Sequence, residues 1–287
     1  MLIRFCRTTW PLLLLCLLAS VADAREDQAA GDETRTLAFR NLQRLVQEEE
    51  RILERARRGD GEYDLERVQR GFQDLVPKYE AFLGENPDYA PGYVAYGLML
   101  DRAGEAELAS RMFLRANQLD PNIPVVKNQL GNYLAERDKP EQALPYYLAA
   151  IDLEPEEPLY HYQLGSLLAE FRQAFLDLEM YEPAALDAAL QKAFRQAAEL
   201  SPAEIAFAYR YAESYYDVGD PDWEAALVAW ENLAERLHPG VERQTILLQR
   251  ANVHLLKGES DRAEALLREV SAPALQGNKA RLLQRLE

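Results

Sequence analysis

Small, apolar and aromatic residues recur with a period of 34 residues between positions 90 and 202 of this 287-residue chain. Gly97, Gly131 and Gly165 mark the repeated position. A period of this length is typical of a unit of two helices, which cannot bury its apolar face alone and must stack on its neighbours. The pattern therefore predicts an all-α chain of helix–turn–helix repeats.

Two repeats, at residues 90–123 and 124–157, match at seven positions. The matching positions are Tyr96, Gly97, Leu100, Ala109, Phe113, Ala116 and Pro121, followed by Leu130, Gly131, Leu134, Ala143, Tyr147, Ala150 and Pro155. This series resembles the tetratricopeptide repeat family. The resemblance implies a right-handed superhelical solenoid. Its glycine and first alanine let two antiparallel helices approach closely, and its aromatic residue fills the gap between them.

The remaining repeats are less regular. Gly165 opens a third repeat, but its closing residues end at Pro202, which is 13 residues late relative to the period. We therefore expect an extension near residues 171–183 within a repeat array at residues 90–272. Residues 25–89 are predicted to form an atypical N-terminal helical hairpin, and residues 273–287 a C-terminal capping helix. Terminal units are expected to be irregular because one side faces solvent.

Residues 1–24 have the layout of a secretory signal peptide. Arg4 and Arg7 precede an apolar run from Trp10 to Leu18, and Ala22-Asp23-Ala24 resembles a cleavage site. The apolar run is too short to span a bilayer as a settled helix. We expect cleavage after Ala24 and no stable transmembrane span afterwards; a retained N-terminal anchor is the alternative.

Cysteine usage and charge narrow the classes of function. Cys6 and Cys16 both lie in the predicted signal peptide, so the mature chain would contain neither a disulfide nor a reactive thiolate. The sequence contains no Asn-x-Ser/Thr acceptor for glycosylation. Together these features favour export to a bacterial periplasm. The net charge of −16 argues against binding to nucleic acid, which requires a basic surface.

The sequence contains no recognisable motif for catalysis, for a cofactor or for a metal. His161, His238 and His254 are scattered over different repeats. No glycine-rich phosphate loop, His-Glu-x-x-His or Gly-x-Ser-x-Gly motif occurs. Asp222 is predicted to cap a helix that begins at Trp223. We therefore expect a protein that is not an enzyme and needs no cofactor.

The first candidate site is a peptide-binding groove that uses Asn128 and Asn132. These residues lie four positions apart, on one face of the predicted first helix of the second repeat. An amide side chain both donates and accepts hydrogen bonds, so it can hold an extended peptide backbone. The pair resembles the groove asparagines of some tetratricopeptide proteins. The equivalent positions of the neighbouring repeats do not continue it: they are Val94, Leu98, Tyr162 and Ser166.

The second candidate site is a docking ridge in the predicted extension. Phe171, Phe175, Leu178 and Tyr181 continue an apolar stripe at helical spacing beyond the usual end of the first helix. An exposed ridge of this kind would suit docking. Alternatively, the stripe is buried beneath the following helix, through residues such as Leu186 and Leu190, or beneath the N-terminal helices.

The family resemblance implies an exported scaffold or adaptor that mediates protein–protein interaction in the cell envelope. Its partner would be a protein or peptide, of undefined identity. One alternative is a non-catalytic subunit of an envelope complex for polysaccharide export or outer-membrane assembly. Another is a solenoid that binds a glycan or small ligand through the tyrosine-rich fourth hairpin, where Tyr209 and Tyr216 are the candidate surface pair.

Overall fold

The computed structural model describes residues 32–57 and 64–286. These residues form 14 α-helices and two short 3-10 helices, without a β-strand. The predicted all-α class is therefore confirmed. The predicted signal peptide at residues 1–24 lies outside the described residues. The described residues divide into two compact units, one that ends at Arg137 and one that begins at Asp138.

Five helices of the described residues belong to the first unit. They are α1 (Asp32–Ala56), α2 (Leu65–Glu85), α3 (Ala90–Ala103), α4 (Ala106–Leu119) and α5 (Pro124–Ala135). Each helix packs on the next one along the chain, and α1 also contacts α3. The core between them contains Phe72, Leu75 and Met99, each at most 1% exposed.

Residues 138–286 of the second unit form nine α-helices. They are α6 (Pro140–Leu153), α7 (Pro158–Glu170), α8 (Arg172–Asp177), α9 (Pro183–Leu200), α10 (Ile205–Glu213), α11 (Trp223–Arg236), α12 (Val241–Leu256), α13 (Ser260–Glu269) and α14 (Gln276–Leu283). Neighbouring long helices pack in chain order, except that α7 packs on α9 and the short α8 lies against α6 and α7.

A glycine–phenylalanine contact closes one helix pair in each unit. A Cβ atom added to Gly97 of α3 would lie 2.6 Å from the Phe113 ring of α4. A Cβ atom added to Gly165 of α7 would lie 2.9 Å from the Phe194 ring of α9. Such distances are too short for any side chain, so both positions need glycine. The predicted close approach of the helices at these glycines is confirmed.

Local signals in the sequence account for many helix ends. Proline occupies the first turn of α3, α5, α6, α7 and α9, where its missing N–H costs no hydrogen bond. Asp222 accepts a hydrogen bond from the Ala225 N–H at 3.0 Å, which confirms the predicted cap of α11. Gly104 ends α3 in the left-handed conformation, with φ of 85°.

One buried ion pair joins α1 to α3 in the first unit. Glu49 of α1 is 1% exposed and pairs with the Arg102 guanidinium of α3. Burial raises the pKa of Glu49, and the nearby Arg102 charge only partly offsets this effect. The pair fixes the N-terminal hairpin against the first repeat, because either charge alone would be costly inside the protein.

Candidate functional site

The two asparagines of the predicted peptide groove differ in accessibility. Asn128 of α5 is fully buried, and neither its side-chain nitrogen nor its oxygen has a hydrogen-bond partner in the described structure. Asn132 is half-buried, and its amide donates to Gln129 Oε1 at 2.8 Å. A peptide could reach Asn132 directly, but it could reach Asn128 only if the covering side chains moved.

The apolar stripe at residues 171–181 is not one continuous helix. Helix α7 ends at Glu170, and Phe171 takes a φ of −105° and a ψ of 23° between α7 and α8. Helix α8 ends at Asp177, and Glu179 adopts a left-handed φ of 52° in the turn that follows. The expectation that the first helix simply lengthens is therefore wrong, because the chain breaks twice before α9 begins.

These breaks place the residues of the stripe in different environments. Phe175 is fully buried and packs edge-to-face on Tyr181, with ring centroids 6.1 Å apart. Phe171 and Tyr181 are half-buried, whereas Leu178 is 54% exposed. Leu186 and Leu190 of α9 are fully buried too. Phe175 is thus a core residue, and the accessible part of the proposed ridge is centred on Leu178.

A carboxylate on α9 ties α8 to a loop of the second unit. Arg172 donates to both oxygens of Asp187, at 2.8 and 3.1 Å, and the Gly219 N–H donates to Asp187 at 2.8 Å. Burial favours the neutral form of Asp187, but these hydrogen bonds and the Arg172 charge together hold its pKa below its usual range. Sequence reasoning missed this network, since its members are 15 to 47 residues apart.

The tyrosine-rich hairpin uses its hydroxyl groups internally. The Gln249 amide donates to the Tyr209 hydroxyl at 2.9 Å, and the Tyr216 hydroxyl donates to the Gln249 carbonyl at 3.2 Å. Tyr209 also packs edge-to-face on the buried Trp230, with ring centroids 5.0 Å apart. Both tyrosines are half-buried, so the proposed surface pair contributes to the packing of α10 and the following 3-10 helix, Ser214–Tyr216, against α12.

The three histidines remain separate in the structure. His161 Nε2 lies 2.7 Å from the Pro155 carbonyl, and His254 Nδ1 lies 2.7 Å from a Glu259 carboxylate oxygen. His238 is exposed. No group of three or more His, Cys, Asp or Glu side chains within residues 32–57 and 64–286 is arranged to hold a metal ion.

A groove of about 500 Å³ lies between α2, α3 and α4 of the first unit. We call it the α2–α4 groove. Buried side chains of α2 and α3 form its base, and exposed residues of α2 and α4 form its edges. Its lining residues are Gln69, Phe72, Gln73, Val76, Glu80, Leu83, Tyr93, Tyr96, Met99, Leu100, Ala103, Glu105, Leu108 and Met112.

Exposed apolar side chains make the groove accessible. Leu108 of α4 is 42% exposed, and Met112, one turn further along α4, is half-buried. Below them, Met99 and Leu100 of α3 are buried. The sequence-based prediction placed the site on the first helix of a repeat and missed this groove, whose edges are formed by α2 and α4. The available signal was the helical spacing of Phe72, Val76 and Leu83 and of Leu108 and Met112 on those helices.

No family model and no curated protein matches the sequence. Solved structures match its fold. PilF from Pseudomonas aeruginosa has a TM-score of 0.56 at 16% identity over 85% of this chain and 99% of PilF. PilW, described as a widely conserved type IV pilus biogenesis factor, has a TM-score of 0.55 at 13% identity over 86% of this chain and 97% of PilW.

A third structure identifies the class of fold directly. YrrB, described as a tetratricopeptide repeat protein with an unusual peptide-binding site, has a TM-score of 0.54 at 16% identity. The match covers 72% of this chain and 92% of YrrB. At such low identity the similarity shows the fold alone. The chain therefore has the tetratricopeptide repeat fold, as the sequence predicted. No helix in the described part of the chain is long and apolar enough to cross a membrane.

Proposed function

We propose that this protein is an exported scaffold of the cell envelope, which binds a protein partner without a chemical step. The observation that carries this proposal is the α2–α4 groove. It is accessible, is lined mainly by apolar side chains and has a volume of about 500 Å³. Its size lies within the usual range for ligand sites. Two neighbours in fold add support, because YrrB is described as having a peptide-binding site and PilW as a pilus biogenesis factor.

The asparagine pair is a second candidate surface within the same function. Asn132 presents a half-buried amide to a peptide backbone. Asn128 has a buried amide that lacks a hydrogen-bond partner in the described structure. An unpaired buried amide lowers stability, so its presence is explained if a bound peptide displaces the covering side chains and supplies the missing hydrogen bonds.

Export is tested by sequencing the N-terminus of the protein purified from fractionated bacteria. We expect a mature chain that begins at Arg25 and is recovered with the periplasmic fraction. A chain that begins at Met1 in the cytoplasmic fraction would contradict export. A chain that begins at Met1 in the membrane fraction would support the retained anchor instead.

Partner binding is tested by crosslinking the mature chain in envelope extract and comparing four variants. Leu108→Ser removes an apolar side chain from the groove, whereas Leu114→Ser changes a leucine of similar exposure, 44%, on the same helix outside the lining. We expect a crosslinked partner that is lost with Leu108→Ser and kept with Leu114→Ser. Absence of any specific partner across the set would overturn the scaffold function.

Two variants test the asparagine pair. Asn132→Ala should weaken crosslinking if the peptide backbone binds at α5. Asn128→Leu should retain or increase stability, because it removes an unpaired buried amide, and should weaken crosslinking at the same time. Unchanged crosslinking in both variants would exclude this surface and leave the α2–α4 groove. Partner loss with Asn132→Ala alone would restrict the contact to the accessible amide.

A further inference from the structure

The shape of the α2–α4 groove fits a helix. Its edge on α2 runs from Gln69 to Leu83. At 1.5 Å per residue, that edge is about 21 Å long, which is the length of a helix of about 14 residues. The lining positions at the start of α4 are its N-cap residue Glu105 and then Leu108 and Met112, spaced three and four residues apart. Helices α2 and α4 therefore form the edges of the groove, and α3 lies at its base.

The charge of the groove is of one sign. Glu80 and Glu105 are its charged lining residues, and the lining includes no lysine or arginine. Neither carboxylate has an ion-pair partner within the described parts of the chain. Glu80 also acts on the base of the groove: burial, and then the Glu80 charge, raise the pKa of the Tyr96 hydroxyl.

Two cations near the groove are already paired. Arg115 contacts Asp88 at 3.2 Å, and Lys78 contacts Glu48 at 2.5 Å. Cations from a bound partner would therefore find two unpaired carboxylates beside an apolar surface. A second copy of this chain fits poorly, because its net charge of −16 would oppose association.

We propose that the α2–α4 groove binds an amphipathic helix that inserts apolar side chains between α2 and α4 and places lysine or arginine near Glu80 and Glu105. This proposal rests on the scaffold function and defines the chemistry of the partner. Leucine-sized side chains would contact Leu108 and Met112 above the buried base. The exposed amides of Gln69 and Gln73 would contact the polar face of the partner helix at the opposite edge.

The test uses two synthetic 14-residue peptides and the full mature chain. Both peptides carry leucines at helical spacing, and their polar positions hold lysine in one and glutamate in the other. Binding is measured by fluorescence anisotropy at two salt concentrations. We expect the lysine peptide to bind at least about tenfold more tightly, with a difference that shrinks as salt increases.

Matched variants separate the groove from general attraction to an acidic protein. Glu80→Gln with Glu105→Gln should weaken the lysine peptide about tenfold. Asp74→Asn with Glu85→Gln removes the same charge from exposed positions outside the lining and should have little effect. Leu108→Ser should weaken binding about fivefold, and Leu114→Ser should not. Circular dichroism verifies that each variant is folded.

Each outcome bears on the proposal. Equal effects of the two carboxylate pairs, or of the two leucine variants, would show general electrostatic or apolar attraction and overturn the site. Equal binding of both peptides would overturn the cationic partner. If the lysine peptide fails to bind while crosslinking in extract still yields a partner, the scaffold function stands and the inference about the helix fails.

Discussion

The α3–α4 pair of the first unit and the α7–α9 pair of the second are closed by the same contact at different chain separations. In the first pair, Gly97 meets Phe113 after 16 residues; in the second, Gly165 meets Phe194 after 29. The difference is the 13-residue insertion. The contact between the two helices is kept, and the extra residues form α8, the turn after it and about one additional turn at the start of α9.

The insertion adds a packed helix to the second unit. Helix α8 contributes the buried Phe175, and the Arg172–Asp187 ion pair ties it to α9. The α3–α4 pair has no inserted helix, and its Arg102 pairs with Glu49 of the N-terminal hairpin instead. The insertion in the second unit is thus an integral part of the fold, whereas the exposed Leu178 beside it is available for contact.

The largest expected effect comes from removing the inserted ring. Phe175→Ala should destabilise the second unit by about 3 to 4 kcal/mol, because it leaves a cavity where a fully buried ring was. Leu178→Ala, at 54% exposure in the same segment, should change the free energy of unfolding by less than about 0.5 kcal/mol. Chemical denaturation and hydrogen exchange resolved by helix would measure both effects.

Equal, small effects of Phe175→Ala and Leu178→Ala would show that the insertion is a surface appendage. In that case the original hypothesis of an exposed ridge would regain support, and the segment at residues 171–181 would become the first place to search for a partner.

The next effect tests the shared contact directly. Gly97→Ala and Gly165→Ala should each destabilise their own helix pair by about 1 to 3 kcal/mol, because the new methyl group would overlap a packed phenylalanine ring. Gly84→Ala is the control, since nothing lies within 4 Å of the added Cβ atom. This change should be neutral or stabilising by up to about 1 kcal/mol, as alanine favours a helix.

Hydrogen exchange should localise the first loss to α3 and α4 and the second to α7 and α9. If Gly165→Ala were tolerated while Gly97→Ala was not, the insertion would have relaxed the Gly165–Phe194 contact relative to the Gly97–Phe113 contact.

Much of this architecture follows from sequence spacing. The 34-residue period identifies the glycine and aromatic positions. Phe194 lies 13 residues later in the sequence than this period predicts, which indicates the insertion, because the same contact has to be completed in both pairs. Proline and Asp222 set helix starts by local chemistry. Such features depend on residues close in sequence or related by the repeat.

Features that depend on tertiary packing could not be read in this way. Burial of Asn128 and the α2–α4 groove both arise from how successive helices pack, which the repeat pattern does not specify. The break at Phe171 has no proline or glycine to signal it. The Arg172–Asp187 pair and the Glu49–Arg102 pair join residues whose proximity no spacing rule gives.

The smallest expected effect is on the pH dependence of stability, which should differ between these two ion pairs. The folded pKa of Asp187 is lowered, so its contribution to stability is present above the unfolded value of about 3.9 and is lost as the pH falls through the folded value. The folded pKa of Glu49 is raised, so the folded state binds the proton more tightly. Stability from Glu49 therefore increases as the pH falls through the raised value towards about 4.3.

Unfolding of the wild type, Asp187→Asn and Glu49→Gln should be compared between neutral and acidic pH. Wild type should exceed Asp187→Asn by about 1 kcal/mol at neutral pH, and the advantage should shrink in acid. Relative to Glu49→Gln, the wild type should instead gain stability on acidification, since the protonated carboxyl resembles the amide in charge. Parallel pH profiles of stability for the two variants would contradict this expectation. They would mean that burial does not raise the pKa of Glu49, and that the paired arginine alone sets the pKa of each carboxylate.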